Sequence, residues 1–349
     1  MTRREPKTFM KKLLAAIFPV LFLFGCQTPT ATGPKDWVEY KGKSGPGKGK
    51  HIVFLAGDEE YRSEEALPQL AKILSQRHGF KCTVLFSVDT NGVINPEKGA
   101  SLTNPDALDS ANVIVMSLRF RHWDDHTMGH FEQAFNRGVP IIALRTSTHA
   151  FNGIPKESPF AKWNYGNKGG FGKQVLGETW VTHWGSHKKE ATRGVIEESA
   201  KSHPVLRGVE DVFGDTDVYE AAPPEDAKIL VRGQVLKGMK PTDPPADYKK
   251  KTAAKTEQGV NDPMMPVAWT REVKNDAGKV NKIVCTTMGS ATDLQSEGMR
   301  RLVVNGVFWG LGIDVPQKAN VDVVGEFNPT MYGFGGYKKG TKPSDYELK

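Results

Sequence analysis

The sequence predicts an α/β protein built on a mostly parallel sheet with helices on both faces. Three observations carry this prediction. Apolar runs such as His51-Ile-Val-Phe-Leu-Ala-Gly57 are continuous rather than alternating, as strands buried on both faces require. Stretches of helical spacing lie between them. Between residues 51 and 144 the order is strand, helix, strand, strand, helix, strand, the pattern of βαβ units. Right-handed crossovers then place helices on both sides of the sheet.

The first strand, His51–Gly57, leads to a helix that Ser63 can cap. Leu67, Leu70, Ala71 and Leu74 share one face of it, and Gly79 offers a stop. Lys81–Phe86 is the second strand, followed by a long loop over 88–106 and a third strand over 111–116. Asp124 or Asp125 starts a helix reaching about Asn136, with Met128, Phe131 and Phe135 on one side and Gly138 as its stop. A fourth strand covers 139–144. The second half is less regular. Its candidate strands are 180–183, 227–232, 265–270 and 281–287, and residues 297–309 read as a closing helix. The Lys/Pro-rich segment 233–262 reads as an exposed excursion, and 316–349 as a tail that wraps the surface without a core of its own.

The chain has 349 residues, with 38% hydrophobic and 25% charged. That excludes a multi-span membrane protein and a wholly disordered chain. The net charge of +7 is concentrated at the start: five basic residues against one glutamate before residue 26 supply more than half of it. No nucleic-acid partner is therefore expected. Three cysteines cannot build a disulfide framework.

Arg3, Arg4, Lys7, Lys11 and Lys12 form a positive n-region ahead of an apolar run from Leu13 to Phe24. The run is too short to span a bilayer but suits a signal peptide. It ends in Leu23-Phe24-Gly25-Cys26, which resembles a bacterial lipoprotein box. Residues 1–25 are thus expected to be a signal peptide, Cys26 the lipidated anchor and 26–50 a flexible tether. Gln27 after the cysteine suggests the periplasmic face of the outer membrane.

In parallel sheets the site lies beyond the carboxyl ends of the strands. After the first strand stand Asp58, Glu59, Glu60, Tyr61 and Arg62, whose carboxylates, phenol and guanidinium suit a polyol. Glu64 and Glu65 are explained by the helix dipole alone. After the third come Arg119 and Arg121, suited to anions or sugar oxygens. His126 and His130 stand at metal-ligand spacing, but a wet helix face is the commoner setting. After the fourth stands Arg145-Thr-Ser-Thr-His149, in the place of a nucleophile elbow, with His149 as its titratable group. Further on, His183, Trp184 and His187 pair imidazoles with an aromatic face suited to a sugar ring, and Asp217 lies in another polar cluster. Gly169-Gly-Phe-Gly172 follows no strand and makes a weak nucleotide loop, so no cofactor is expected.

The stretches Gly57-Asp-Glu-Glu-Tyr-Arg-Ser-Glu-Glu65, Arg145-Thr-Ser-Thr-His149, His203-Pro-Val-Leu-Arg-Gly208, Pro266-Val-Ala-Trp-Thr-Arg271 and Trp309-Gly-Leu-Gly312 recur in the order of one family. Over residues 50–315 the chain resembles the trehalose-utilisation (ThuA-like) family, in a variant found among lipoproteins. The resemblance implies a flavodoxin-like sheet of the class I glutamine-amidotransferase-like fold, and a link to disaccharide or keto-sugar metabolism. Amidotransferases of that fold use a cysteine where this chain has Arg145, and Cys82 and Cys285 lie inside strands. Glutamine hydrolysis is therefore not expected.

The sequence leads to a membrane-tethered periplasmic α/β domain over 51–315 that acts on a carbohydrate by acid/base chemistry. His149 would be the general base or acid, aided by Glu60 or His187. Asp58, Tyr61, Arg62, Arg119, Arg145, Ser147, Trp184 and Asp217 would bind substrate. Two alternatives stay open: a carbohydrate-binding lipoprotein without catalysis, leaning on Trp184 and Trp123, and a metal-dependent hydrolase using His126 and His130. The first reading requires Glu60, Arg119 and His149 to share one cavity.

Overall fold

Strands buried on both faces form the centre of a large mixed sheet. The computed structural model describes residues 35–348, together with residues 1–3 and 5. Cys26 and most of the expected signal peptide lie outside the described residues. In chain order the strands are β1 (Val38–Tyr40), β2 (His51–Gly57), β3 (Lys81–Phe86), β4 (Val113–Leu118), β5 (Ile141–Leu144), β6 (Thr192–Ile196), β7 (Phe213–Gly214), β8 (Lys228–Val235), β9 (Lys249–Lys251), β10 (Glu257–Gly259), β11 (Met265–Lys274) and β12 (Val280–Thr286). The α-helices are α1 (Ser63–His78), α2 (Asp125–Asn136) and α3 (Glu297–Leu311). Ten strands form one sheet in the order β1-β3-β2-β4-β5-β12-β11-β8-β6-β7, and β9 and β10 form a separate hairpin.

The five strands β3-β2-β4-β5-β12 pair in parallel. Taken in chain order they follow the sequence 2-1-3-4-5, the flavodoxin-like arrangement. Within β2 the pleat sends Ile52, Phe54 and Ala56 to the core shared with α1 and α3, and Val53 and Leu55 to the core shared with α2. Both faces are therefore dry, which explains the absence of alternation in the sequence.

Gly79 ends α1 as expected, with φ 81° and its N–H bonded back to Leu74 and Ser75. The start differs. Arg62 occupies the cap position at φ 61° without a side-chain cap, while Ser63 Oγ accepts a hydrogen bond from the Asp58 N–H. Asp124 caps α2 by accepting from the Thr127 N–H at 2.9 Å. In α3 the small residues allow close approach to the sheet: a Cβ on Gly310 would stand 2.9 Å from Pro140.

Beyond β12 the sheet turns antiparallel through β11, β8, β6 and β7. The 180–183 segment is not a strand; only His183 makes a bridge, to Tyr219. Strand β6 is half-exposed along most of its length, so no apolar run announces it. Part of the expected tether joins the fold, because Val38 and Tyr40 are buried where β1 pairs with β3. The tail also belongs to the compact unit that begins at Lys35. The 233–262 excursion is anchored as well as exposed: Leu236 and Val260 are buried, and Lys250 donates to the carbonyls of His183 and Trp184 at 2.8 Å. Among the described residues, no helix is long and apolar enough to cross a membrane.

Candidate functional site

The carboxyl ends of β2, β4 and β5 lie beside the reversal in strand order, where open sheets of this kind bind ligands. After β2 the chain turns on Asp58. Its buried carboxylate accepts from the N–H groups of Glu60 at 2.7 Å and Tyr61 at 3.0 Å, and from the Thr146 hydroxyl. Asp58 therefore shapes the turn that presents Glu60 and does not face a ligand. After β4, Arg119 pairs with Glu59, whose other oxygen accepts from Arg121 at 2.8 Å. The Arg119 guanidinium lies between the rings of Phe120, at 4.6 Å, and Phe334, at 4.9 Å.

After β5, a single 3-10 turn over Arg145–His149 brings His149 to the rim. Arg145 opens that turn at φ 43°, a left-handed conformation costing roughly 1–3 kcal/mol for a non-glycine residue. Its buried guanidinium offsets the cost. It donates to the carbonyls of Thr287 at 2.6 Å and Asp217 at 2.7 Å, and to Asp217 Oδ1 at 3.0 Å. It also donates to the Tyr61 hydroxyl at 3.2 Å and lies 3.8 Å over the Tyr219 ring.

Glu60, Arg119 and His149 share one cavity of about 340 Å³. Trp180, His183, His187, Lys188, Tyr219 and Phe334 complete its lining. The geometric condition set by the sequence is met: the three segments leaving β2, β4 and β5 converge on a common rim.

Asp217 is the hub beneath this cavity. Its two oxygens meet His183 Nδ1 at 2.7 Å and His187 Nδ1 at 3.1 Å. Burial raises the Asp217 pKa, but Arg145 and the two imidazoles outweigh it and hold the carboxyl well below the usual range. An ionised Asp217 only accepts, so each imidazole carries its proton on Nδ1 and turns Nε2 away from the hub. His187 Nε2 lies 3.2 Å from Glu60 Oε1. Asp217, His187 and Glu60 thus form a continuous polar chain that opens on the cavity. Burial and then Asp58 raise the Glu60 pKa, while His187 and Arg119 oppose the shift.

His149 is set apart. Its ring packs against Phe120, at 4.9 Å between centroids, and Trp180, at 5.6 Å, and its Nδ1 meets Thr148 Oγ1 at 3.2 Å. Burial, with Arg119 and Arg145 nearby, pushes its pKa well below the ordinary histidine value. The shift favours the neutral imidazole.

Other expected contacts lie beneath or outside the cavity. Trp184 is fully buried and donates to the Val260 carbonyl at 2.8 Å; Trp180 is the tryptophan that lines the cavity. Trp123 is likewise a core residue. Ser147 Oγ donates to the Met116 carbonyl and accepts from the Leu118 N–H, tying the turn to β4. Arg62 is buried and binds the Glu60 and Gly333 carbonyls. Tyr61 and Arg145, also expected to bind substrate, are fully buried and absent from the lining. Tyr219 could have been found from the Asp217-Val-Tyr219 pattern, whereas Phe334 sits among glycines and carries no local signal.

Two groups have metal-ligand chemistry. Asp106, His126 and His130 cluster at α2, largely exposed and outside the cavity lining. The ligand atoms of His183, His187 and Asp217 lie within 4.8 Å of one another, but the Arg145 guanidinium on the same carboxylate opposes a cation there. Cys82 and Cys285 are buried in β3 and β12, and burial raises both thiol pKa values, so neither is a nucleophile.

The profile of the ThuA family, described as trehalose utilisation, matches residues 50–310. Among curated proteins, none matches the chain in sequence. A ThuA-like protein of Parabacteroides merdae of known structure is similar at 12% identity and TM-score 0.46, over 86% of this chain and 100% of the other. One of Bacteroides uniformis is similar at 15% identity and TM-score 0.42, over 76% and 92%.

Proposed function

The chain belongs to the ThuA (trehalose utilisation) family, and on that premise we propose that it is an enzyme that moves a proton on a disaccharide or keto-sugar. The observation that carries this reading is the Asp217–His187–Glu60 chain opening on a cavity lined by aromatic rings and cations. A raised carboxyl accepts a proton more readily than an ordinary one, which suits Glu60 as the base. Glu60 takes the proton from a carbon next to a carbonyl or from a hydroxyl. The proton then rests on its carboxyl, or passes to His187 Nε2 while Asp217 stabilises the imidazolium.

The negative charge left on the sugar oxygen meets the Arg119 guanidinium, which Glu59 and Phe120 hold in place. Burial favours the neutral form of His149, which suits it to a hydrogen-bonding role beside Glu60. As a neutral imidazole it hydrogen-bonds a sugar hydroxyl without adding charge.

Turnover of disaccharides and their 3-keto derivatives, followed by chromatography, tests the reading. Glu60→Gln should lower turnover at least 100-fold while ligand binding persists. Binding of these sugars without any product would favour the carbohydrate-binding alternative.

The same proposal places the protein at the bacterial envelope, held by acyl chains on Cys26. The support is the basic segment, the apolar run and the Leu23-Phe24-Gly25-Cys26 box. Metabolic labelling with palmitate should mark the wild type and not Cys26→Ser; labelling of both would remove the anchor.

A further inference from the structure

Residues 328–337, near the end of the chain, bring Phe334 into the cavity lining, and every few residues they are fastened. Thr330 donates to Glu65 through its N–H at 2.8 Å and its hydroxyl at 2.6 Å. The Tyr332 ring stacks on Tyr61 at 5.1 Å, and its hydroxyl donates to the Asp215 carbonyl at 2.9 Å. The Gly333 N–H donates to the Glu60 carbonyl at 2.7 Å, and the Gly333 carbonyl accepts from buried Arg62 at 2.8 Å. All this anchoring surrounds a ring that is left bare: Phe334 is 61% exposed and lines the cavity.

An exposed phenylalanine forgoes much of the stabilisation that burial would give it. Arg119 lies over the Phe334 ring at 4.9 Å, and the rest of the side chain meets solvent at the cavity mouth. The apolar face of a pyranose covers such a ring while its hydroxyls reach polar groups at the edge. Phe334 lines the same cavity as Glu60, His187 and His149, so a sugar ring held by those three leaves this bare ring for a ring linked to it. The family match ends at residue 310, so this platform comes from a segment beyond the shared domain.

We infer that the C-terminal strap builds an outer subsite, with Phe334 as the stacking platform for the second ring of a disaccharide. This inference rests on the carbohydrate reading above and names what sets the length of sugar the site prefers.

Calorimetric titration of the full chain with trehalose and with glucose tests it. Phe334→Ala should weaken trehalose binding about tenfold, with less than a twofold effect on glucose, and Phe334→Trp should restore trehalose binding. Because the ring is exposed, the fold should survive; an unchanged melting temperature of Phe334→Ala checks this. Trehalose binding by Phe334→Ala equal to wild type would overturn the subsite and leave the carbohydrate reading intact. Equal losses for both sugars would also overturn it. Failure of the wild type to bind either sugar would overturn the subsite, and the carbohydrate reading would then be decided by the turnover of 3-keto derivatives.

Discussion

The side chains of Arg145 and Asp217 meet at 3.0 Å with no solvent exposure on either. A pair this deep is a poor source of net stability but a severe loss when one partner goes, because the other charge stays buried. Asp217→Asn should therefore destabilise the fold by about 3–5 kcal/mol, read by urea denaturation. The same change leaves His183 and His187 without their anchor, so any residual folded protein should lose turnover.

The two tryptophans of neighbouring sequence separate core from site. Trp184 is fully buried and Trp180 lines the cavity. Trp184→Phe removes the indole N–H bonded to Val260 and should lower the melting temperature with little change in the sugar affinity of the folded protein. Trp180→Ala should weaken sugar binding with a much smaller change in melting temperature. The opposite pattern would return Trp184 to the site.

Arg62 ties the strap to the turn that presents Glu60. Arg62→Met keeps bulk but removes three hydrogen bonds, to Glu60, Gly333 and Thr330. The expected loss is about 2–4 kcal/mol, with faster proteolytic cleavage within 328–337. Cleavage at the wild-type rate would mean that the tyrosine stack and Glu65 hold the strap without it.

Asp215 provides a pH signature. Burial and the neighbouring Asp293 push its pKa up to about 7. The folded protein then holds this proton over a range where the unfolded chain has released it. The contribution is complete below about pH 4, the unfolded value, and is lost as pH rises through about 7. The stability of wild type relative to Asp215→Asn should fall across that window and level off above it. The side chain is partly exposed, so the change should be on the order of 1 kcal/mol. Denaturation of both proteins from pH 4 to 8 measures it.

The parallel core was legible because double-sided burial writes itself as unbroken apolar runs, as in His51–Gly57 and Lys81–Phe86. The rim followed from it: knowing where β2, β4 and β5 end places Glu60, Arg119 and His149 together. Three kinds of information were hidden. Strands β6 and β7 are short or half-exposed and carry no run to recognise. Facing direction was hidden as well: Trp180 and Trp184 are equally aromatic in sequence, but the chain around His183 is pinned along Val218–Glu220 so that one points in and one out. Asp58 and Ser147 look like ligand groups, yet their hydrogen bonds are consumed by nearby backbone. Phe334 was unreadable because its partners lie hundreds of residues away in the chain.

Among the described residues, the sheet ends on strands of three residues, β1, and two residues, β7. Such short borders offer a neighbouring chain few free N–H and C=O groups on which to extend a ladder. Copies at high concentration should therefore gain little from templating one another, and the broad hydrogen-bonded interior is kept from seeding fibrils. Lengthening either border with apolar residues should produce concentration-dependent precipitation before it changes the chemistry of the rim.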